Sequence, residues 1–153
     1  MVNKMTSQSD EIPEKVQQKI LSLQAELEEI YTRLEAIRQE EILLQRFESE
    51  YSLAKSTIQG LKDISIEEES LVPIGGGVYI KAKIADVEKV LINIGGETYM
   101  EYSNEEALKK LDEALQKIQK RRMDLAELSR SLSKRAEDIR QELVKLGESL
   151  KKG

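Results

Sequence analysis

Apolar residues seven positions apart run through the first third of the chain, and no other feature limits its fold as tightly. Val16, Leu23, Ile30, Ile37, Leu44, Tyr51 and Ile58 form one unbroken row. A second row begins with Ile20, Leu27 and Leu34 and reaches Glu41. It then resumes one residue earlier in phase, as Phe47, Ala54 and Leu61. Spacings that alternate between three and four residues place these side chains on one stripe of a helix, and such a stripe is buried only against another helix. The change of phase near Glu40 and Glu41 is stammer-like and is expected to overwind the coil locally. Pro13 sits where a first helical turn tolerates proline, so the helical block is expected over 13–61.

The last part of the chain repeats the pattern more strictly. Leu108, Leu111, Leu115, Ile118, Leu125, Leu132, Ala136, Ile139, Leu143, Leu146 and Leu150 hold the three-four alternation, broken only by Arg122 and Ser129. Ser103-Asn104-Glu105-Glu106 has the form of a capping box, in which Ser103 and Glu106 satisfy free amides of the first turn. A second helix over 104–150 follows.

Between the helices the period changes to two. Val78, Ile80, Ala82 and Ile84 alternate with Lys81 and Lys83; Val90, Ile92 and Ile94 alternate with Leu91 and Asn93; Thr98, Met100 and Tyr102 alternate with Tyr99 and Glu101. These are strands, and Leu71 to Ile74 is a shorter one that Pro73 places at a sheet edge. Glycines at 75–77 and 95–96 supply the positive φ angles of tight turns, so 62–103 reads as two successive β-hairpins linked through Ala85-Asp86-Val87-Glu88. The fold class is α+β and mainly helical: a long antiparallel coiled-coil hairpin joined by two β-hairpins. The lead 1–12 is polar and expected to be disordered, and 151–153 is a short tail.

Both helices are rooted in the same β segment, so antiparallel pairing needs only local connections. Each should span roughly 70 Å at about 1.5 Å per residue. Facing residues would then have numbers adding to about 164, which sets Glu41 beside Arg122. The two polar breaks either pair and fix the register or stand as independent solvated defects. Four short strands cannot bury their apolar face on one thin coiled coil. Leu71, Val72, Ile74, Val78, Ile80, Ala82, Val90, Ile92, Ile94 and Met100 are therefore expected to assemble with other subunits, helped by open sheet edges.

Composition removes most chemistry. Charged residues make up 35% of the chain and aromatics 4%, too few large side chains for an ordinary globular core. There is no Cys and no His, hence no disulfide, no thiolate metal site and no imidazole base. The net charge of −5 argues against nucleic acid, and the basic run Lys117 to Arg122 lies among acidic neighbours on a helix. Gly75 to Gly77 lacks the lysine and following helix of a phosphate loop. Adjacent carboxylates such as Glu28 and Glu29 have no pocket to tune them. No metal, cofactor or enzymatic activity is expected. No apolar run approaches the roughly 20 residues of a membrane span, and the N-terminus lacks a signal-peptide core, so a cytoplasmic protein is expected.

The run Glu69-Ser70-Leu71-Val72-Pro73-Ile74-Gly75-Gly76-Gly77-Val78-Tyr79-Ile80-Lys81-Ala82-Lys83, with Lys89-Val90-Leu91-Ile92-Asn93-Ile94-Gly95, set between two heptad helices, resembles the α-class subunit of prefoldin, archaeal type. The likeness implies a chaperone that holds unfolded chains without nucleotide. It implies two α and four β subunits, hence β-class partners and a second copy of this chain, with strands pooled into an inter-subunit barrel body. It also implies transfer of unfolded proteins to a group II chaperonin. Capture would fall at the free end of the coiled coil, where the first helix starts and the second ends. The candidates are Ile12, Val16, Ile20, Leu21, Leu23, Leu143, Val144, Leu146 and Leu150. Of these, Leu21 and Val144 lie off the seam and should be exposed; the others also read as ordinary seam positions. The alternative is a structural, filament-forming relative joined through its β-hairpins.

Overall fold

Pro13 opens the first helix through its carbonyl, which accepts from the amides of Val16 (2.8 Å) and Gln17 (3.1 Å). The computed structural model describes residues 13–151. In chain order the elements are α1 (Glu14–Leu61), β1 (Glu69–Gly75), β2 (Val78–Lys83), β3 (Lys89–Gly95), β4 (Thr98–Ser103) and α2 (Asn104–Lys151). Two 48-residue helices and two antiparallel hairpins, β1–β2 and β3–β4, realise the expected mainly helical α+β fold. The expected lead 1–12, with Ile12, and the last residues of the expected tail lie outside the described residues.

The molecule divides into two units. One combines α1 up to Leu43 with α2 from Arg122 onward. Its core is the heptad seam: Leu23 and Ile30 of α1 and Ala136 and Ile139 of α2 are buried together, flanked by Leu27, Leu34, Leu132, Leu143 and Leu146. The pairing is antiparallel. Lys19 bridges to Glu142 (2.9 Å), and a heptad further along α1, Glu26 meets Arg135, a heptad earlier in α2, at 2.6 Å. Both seam rows face inward in this unit, and the bridged residues have numbers adding to 161, three short of the expected 164.

The second unit, Leu44–Arg121, holds both hairpins and the adjoining helix segments. Here Leu61, Ala107 and Ile118 are buried, and Lys55 meets Asp112 at 2.7 Å. Ala107 lies off the apolar row, yet it is fully enclosed in the first turn of α2. The expected change of phase in α1 is not followed at Phe47, which stays exposed and stacks its ring on Tyr51 of the same helix, 6.2 Å between centroids. Glu48 and Lys55, seven and fourteen residues beyond Glu41, take half-buried positions instead. Further along, the resumed row turns inward: Ala54 is half-buried and Leu61 is buried, while Lys62 is exposed.

Each hairpin closes on glycine. In β1–β2 both turn residues, Gly76 and Gly77, have positive φ (59° and 75°), as a type I′ turn requires, and Gly75 forms a bulge at φ 110°. In β3–β4 Gly95 repeats the bulge, and Asn93 braces the turn by accepting from the Gly95 amide and donating to the Gly96 carbonyl. A shift of 20 residues (Glu69 to Lys89) superimposes one hairpin's ladder on the other: Leu71 on Leu91, Ile74 on Ile94, Gly75 and Gly76 on Gly95 and Gly96, Tyr79 on Tyr99. The hairpins are an internal repeat.

The linker between them is tied to the start of α2. The Asn104 amide donates to Glu88 O (2.9 Å), and its Nδ2 donates to Val87 O (2.6 Å). The capping box forms as read: the Glu106 amide donates to Ser103 Oγ (3.2 Å) and the Ser103 amide donates to Glu106 Oε2 (3.3 Å). Ser103→Ala and Glu106→Ala are each expected to lower stability by about 0.5–2 kcal/mol, seen as an earlier urea midpoint with native helix content. The bonds are reciprocal, so the double variant should lose less than the two effects added.

Candidate functional site

Off-seam apolar residues near the paired start of α1 and end of α2 form the first surface. A residue placed off both heptad rows has no helix to pack on, and Leu21 and Val144 are accordingly 65% and 59% exposed. Counting along the antiparallel pair, the Lys19–Glu142 bridge lies between their levels, with Val144 one step outside it and Leu21 one step inside. Val144 floors a surface depression of about 350 Å³ rimmed by Glu137, Arg140, Lys145 and Glu148.

The remaining candidates behave differently. Val16, Ile20, Leu143, Leu146 and Leu150 are half-buried, and Leu23 is buried in the seam core. Leu23 is occupied in holding the helices together, because its row position turns it fully onto α2. Sequence reading missed Tyr31 in this region. Its hydroxyl accepts from Arg140 Nε (2.8 Å) and Nη2, and the guanidinium lies 5.4 Å from the ring centroid. That hydroxyl, with the Glu137 carboxylate, favours the charged form of Arg140. Off-row aromatics opposite arginine were the available signal. Of the two register candidates, Glu41 is half-buried and Arg122 exposed.

The second surface belongs to the hairpins. Residues directly opposite in an antiparallel ladder share a face. Val72 opposes Ile80, and Ile92 opposes Met100, so these stand on the apolar faces with Ile74, Val78, Ala82, Val90 and Ile94. Most are exposed; Ala82, Val90 and Ile92 are half-buried. Leu71 opposes Lys81, which moves it to the other face of its hairpin, away from the apolar set with which the sequence grouped it. Beside β3 an open groove of about 680 Å³ is lined by Tyr51, Leu53, Ala54 and Ile58 of α1 and by Val90 and Ile92. Each hairpin has two strands and therefore two open edges, rows of amides and carbonyls that a further strand can pair. Among the described residues no cluster of acidic side chains is arranged to hold a metal ion, and no helix is long and apolar enough to cross a membrane.

Comparison with known proteins matches residues 33–149 to the family model described as "Prefoldin subunit". "Prefoldin subunit alpha 1" of Methanocaldococcus jannaschii is 34% identical over 135 residues, 88% of this chain and 89% of that protein. "Prefoldin subunit alpha" of Methanopyrus kandleri is 28% identical over 111 residues, 72% of this chain and 71% of that one. Among solved structures, filamentous PFD from Methanocaldococcus jannaschii superimposes with a TM-score of 0.66 over 78% of this chain and 98% of its own, at 24% identity.

The bridge between helices in the first unit sets a pH dependence. The Arg135 guanidinium donates two bonds to Glu26 and holds that carboxyl below its ordinary value of 4.5, against a smaller opposing effect of desolvation. A carboxylate with a lowered folded pKa stabilises the fold above 4.5, and that contribution is lost as pH falls through the lowered value. Glu26→Gln should therefore be less stable than the wild type at neutral pH. The gap between their melting temperatures should narrow as acidification protonates Glu26.

Proposed function

The chain belongs to the prefoldin family, and from that premise we propose that it is an ATP-independent holdase subunit that captures unfolded polypeptides where α1 begins and α2 ends. The single observation that carries this reading is the exposure of Leu21 and Val144 off a seam that buries its own leucines. Soluble helices normally turn such residues inward or replace them with charge. Covering the exposed part of each is worth about 1–2 kcal/mol, so one helix pair binds a client weakly and without sequence preference. Several pairs on one scaffold raise the affinity through effective concentration. Val16, Ile20, Leu143, Leu146 and Leu150 would add area when the helix ends fray.

The scaffold in this reading is a hexamer of two such chains with four β-class prefoldin subunits. The apolar hairpin faces and open strand edges would join in a common barrel body, and bound chains would pass to a group II chaperonin in the cytoplasm. A second reading is favoured by one finding: a neighbour of the same fold is described as filamentous, and open hairpin edges allow unlimited addition of copies. Light scattering of the purified chain with rising concentration separates the two. Growth without limit in the absence of β-class subunits supports the filament; a fixed size that appears only with them supports the hexamer.

Capture is tested on the complex with β-class subunits by the scattering of an aggregating, chemically denatured protein. Leu21→Ser with Val144→Ser should raise the amount of complex needed for protection by about ten-fold or more, with helix content and assembly unchanged. Equal protection by the variant would sink the proposal. The same reading assigns Glu41 and Arg122 to register. In a Glu41→Leu background, Arg122→Ala should then cost little; simple additivity of the two changes would remove the pair.

A further inference from the structure

The helix pair of the first unit has two unlike flanks. Residues that precede a seam position meet on one of them, as Lys19 with Glu142 and Glu26 with Arg135 do. Residues that follow a seam position meet on the other, as Tyr31 and Arg140 do. Leu21 and Val144 follow Ile20 and Leu143, so both belong to the Tyr31–Arg140 flank. The same flank carries a second pair. Ile42 and Met123 follow Glu41 and Arg122 of the same rows, and are 55% and 73% exposed. In both pairs the numbers add to 165, between the 161 of the two bridges and the 171 of the Tyr31–Arg140 contact, so the members of each pair share a level. The pairs stand three heptads apart, roughly 31 Å at about 1.5 Å per residue. At the two levels between them the corresponding positions are charged: Glu28 and Glu137, then Glu35 and Arg130. On the opposite flank the exposed Leu43 and Leu128 have numbers adding to 171, ten more than that flank's bridges, and so stand at different levels.

A single exposed isoleucine or methionine is ordinary on a helix surface. A second pair that repeats the heptad position, the level and the flank of the first is not. We infer that Ile42 and Met123 form a second station for the unfolded chain held at Leu21 and Val144, so that one client lies along this flank toward the middle of the helix pair. The inference rests on the proposed reading of Leu21 and Val144 as a capture surface, and adds how far the client extends and what kind of client gains. A folded partner is a poor occupant. The four side chains offer roughly 150–300 Å² of exposed apolar area in two separate patches, against about 800 Å² on each side of a stable protein complex. The charged levels between the patches carry both signs and select no strongly charged surface. An extended chain covers about 3.3 Å per residue, so apolar groups about nine or ten residues apart reach both stations. The favoured client is therefore an extended segment with two apolar clusters at least that far apart. A shorter peptide occupies one station at a time. Two weak contacts on one chain hold it longer than either alone, through effective concentration.

The chain has no cysteine, so single thiols can be introduced for site-specific probes. Leu21→Cys, Met123→Cys and, at an exposed position of the opposite flank, Ser131→Cys are each labelled with a benzophenone maleimide before assembly with β-class subunits. Each complex is then irradiated with a chemically denatured protein. The probe at 123 should cross-link the client about as well as the probe at 21, and about ten-fold better than the probe at 131, where no apolar pair holds it. Adding Leu21→Ser and Val144→Ser to Met123→Cys should lower cross-linking at 123 by about three- to ten-fold, because the client is then held at one station. An apolar peptide of about six residues, too short to span the pairs, should show no such fall. The substituted side chains are exposed, so circular dichroism should remain native throughout. Cross-linking at 21 with 123 as silent as 131 would overturn the second station and leave capture at Leu21 and Val144 standing. Cross-linking at 123 with 21 silent would remove the capture reading and the span with it. A probe at 123 that links mainly to a neighbouring subunit overturns the inference. So does client cross-linking at 123 that ignores the serine changes, since no single chain then spans the two pairs.

Discussion

Everything in this molecule depends on burying two narrow apolar stripes against each other. With a single Phe and no Trp, the chain has few large side chains with which to build a globular core. Leucine, isoleucine and alanine at three-four spacing take over that role in one dimension. Leu23, Ile30, Ala136 and Ile139 are enclosed only because α1 and α2 run antiparallel in matching register. The flanking bridges, Lys19–Glu142 and Glu26–Arg135, are exposed; they contribute little energy beside the seam but penalise a shifted pairing.

That arrangement shapes what remains for function. A two-helix seam turns only a third or so of each helix inward, so any apolar residue off the row is presented to solvent. Leu21 and Val144 are such residues near one end of the pair, and the hairpins offer others on both of their faces. The protein therefore displays apolar surface in two separate settings: isolated side chains on charged helices, and continuous strand faces beside open edges. The first suits transient contact with many sequences. The second suits lasting contact with one geometry, because an edge strand fixes its partner through directed backbone bonds.

Periodicity made the helices, the hairpins, the turn glycines and the Ser103–Glu106 cap legible, since each rests on local spacing. The parts that were not legible depend on competition between neighbours. The phase change is plain as a row of apolar letters, but Phe47 itself stays exposed and stacks on Tyr51, and burial follows the new row only at Ala54 and Leu61. Leu71 groups with Val72 by composition, although adjacent strand residues necessarily point to opposite faces. Ala107 is too small to stand out in a pattern, and its enclosure depends on the first turn of α2 meeting its surroundings. Tyr31 gains its role from Arg140, more than a hundred residues away in the chain.

The order of the elements also sets an order of formation. The hairpins close on neighbours in sequence, Lys55 reaches Asp112 across both of them, and Lys19 reaches Glu142 across nearly the whole described chain. Loop-closure entropy rises with that separation, so the helices zip from the strands outward and unzip in reverse. The turns around Leu21 and Val144 are thus the latest to form and the earliest to open. By the same ordering, warming should part the helices at that end while the strands remain paired, baring the leucines that the seam otherwise keeps.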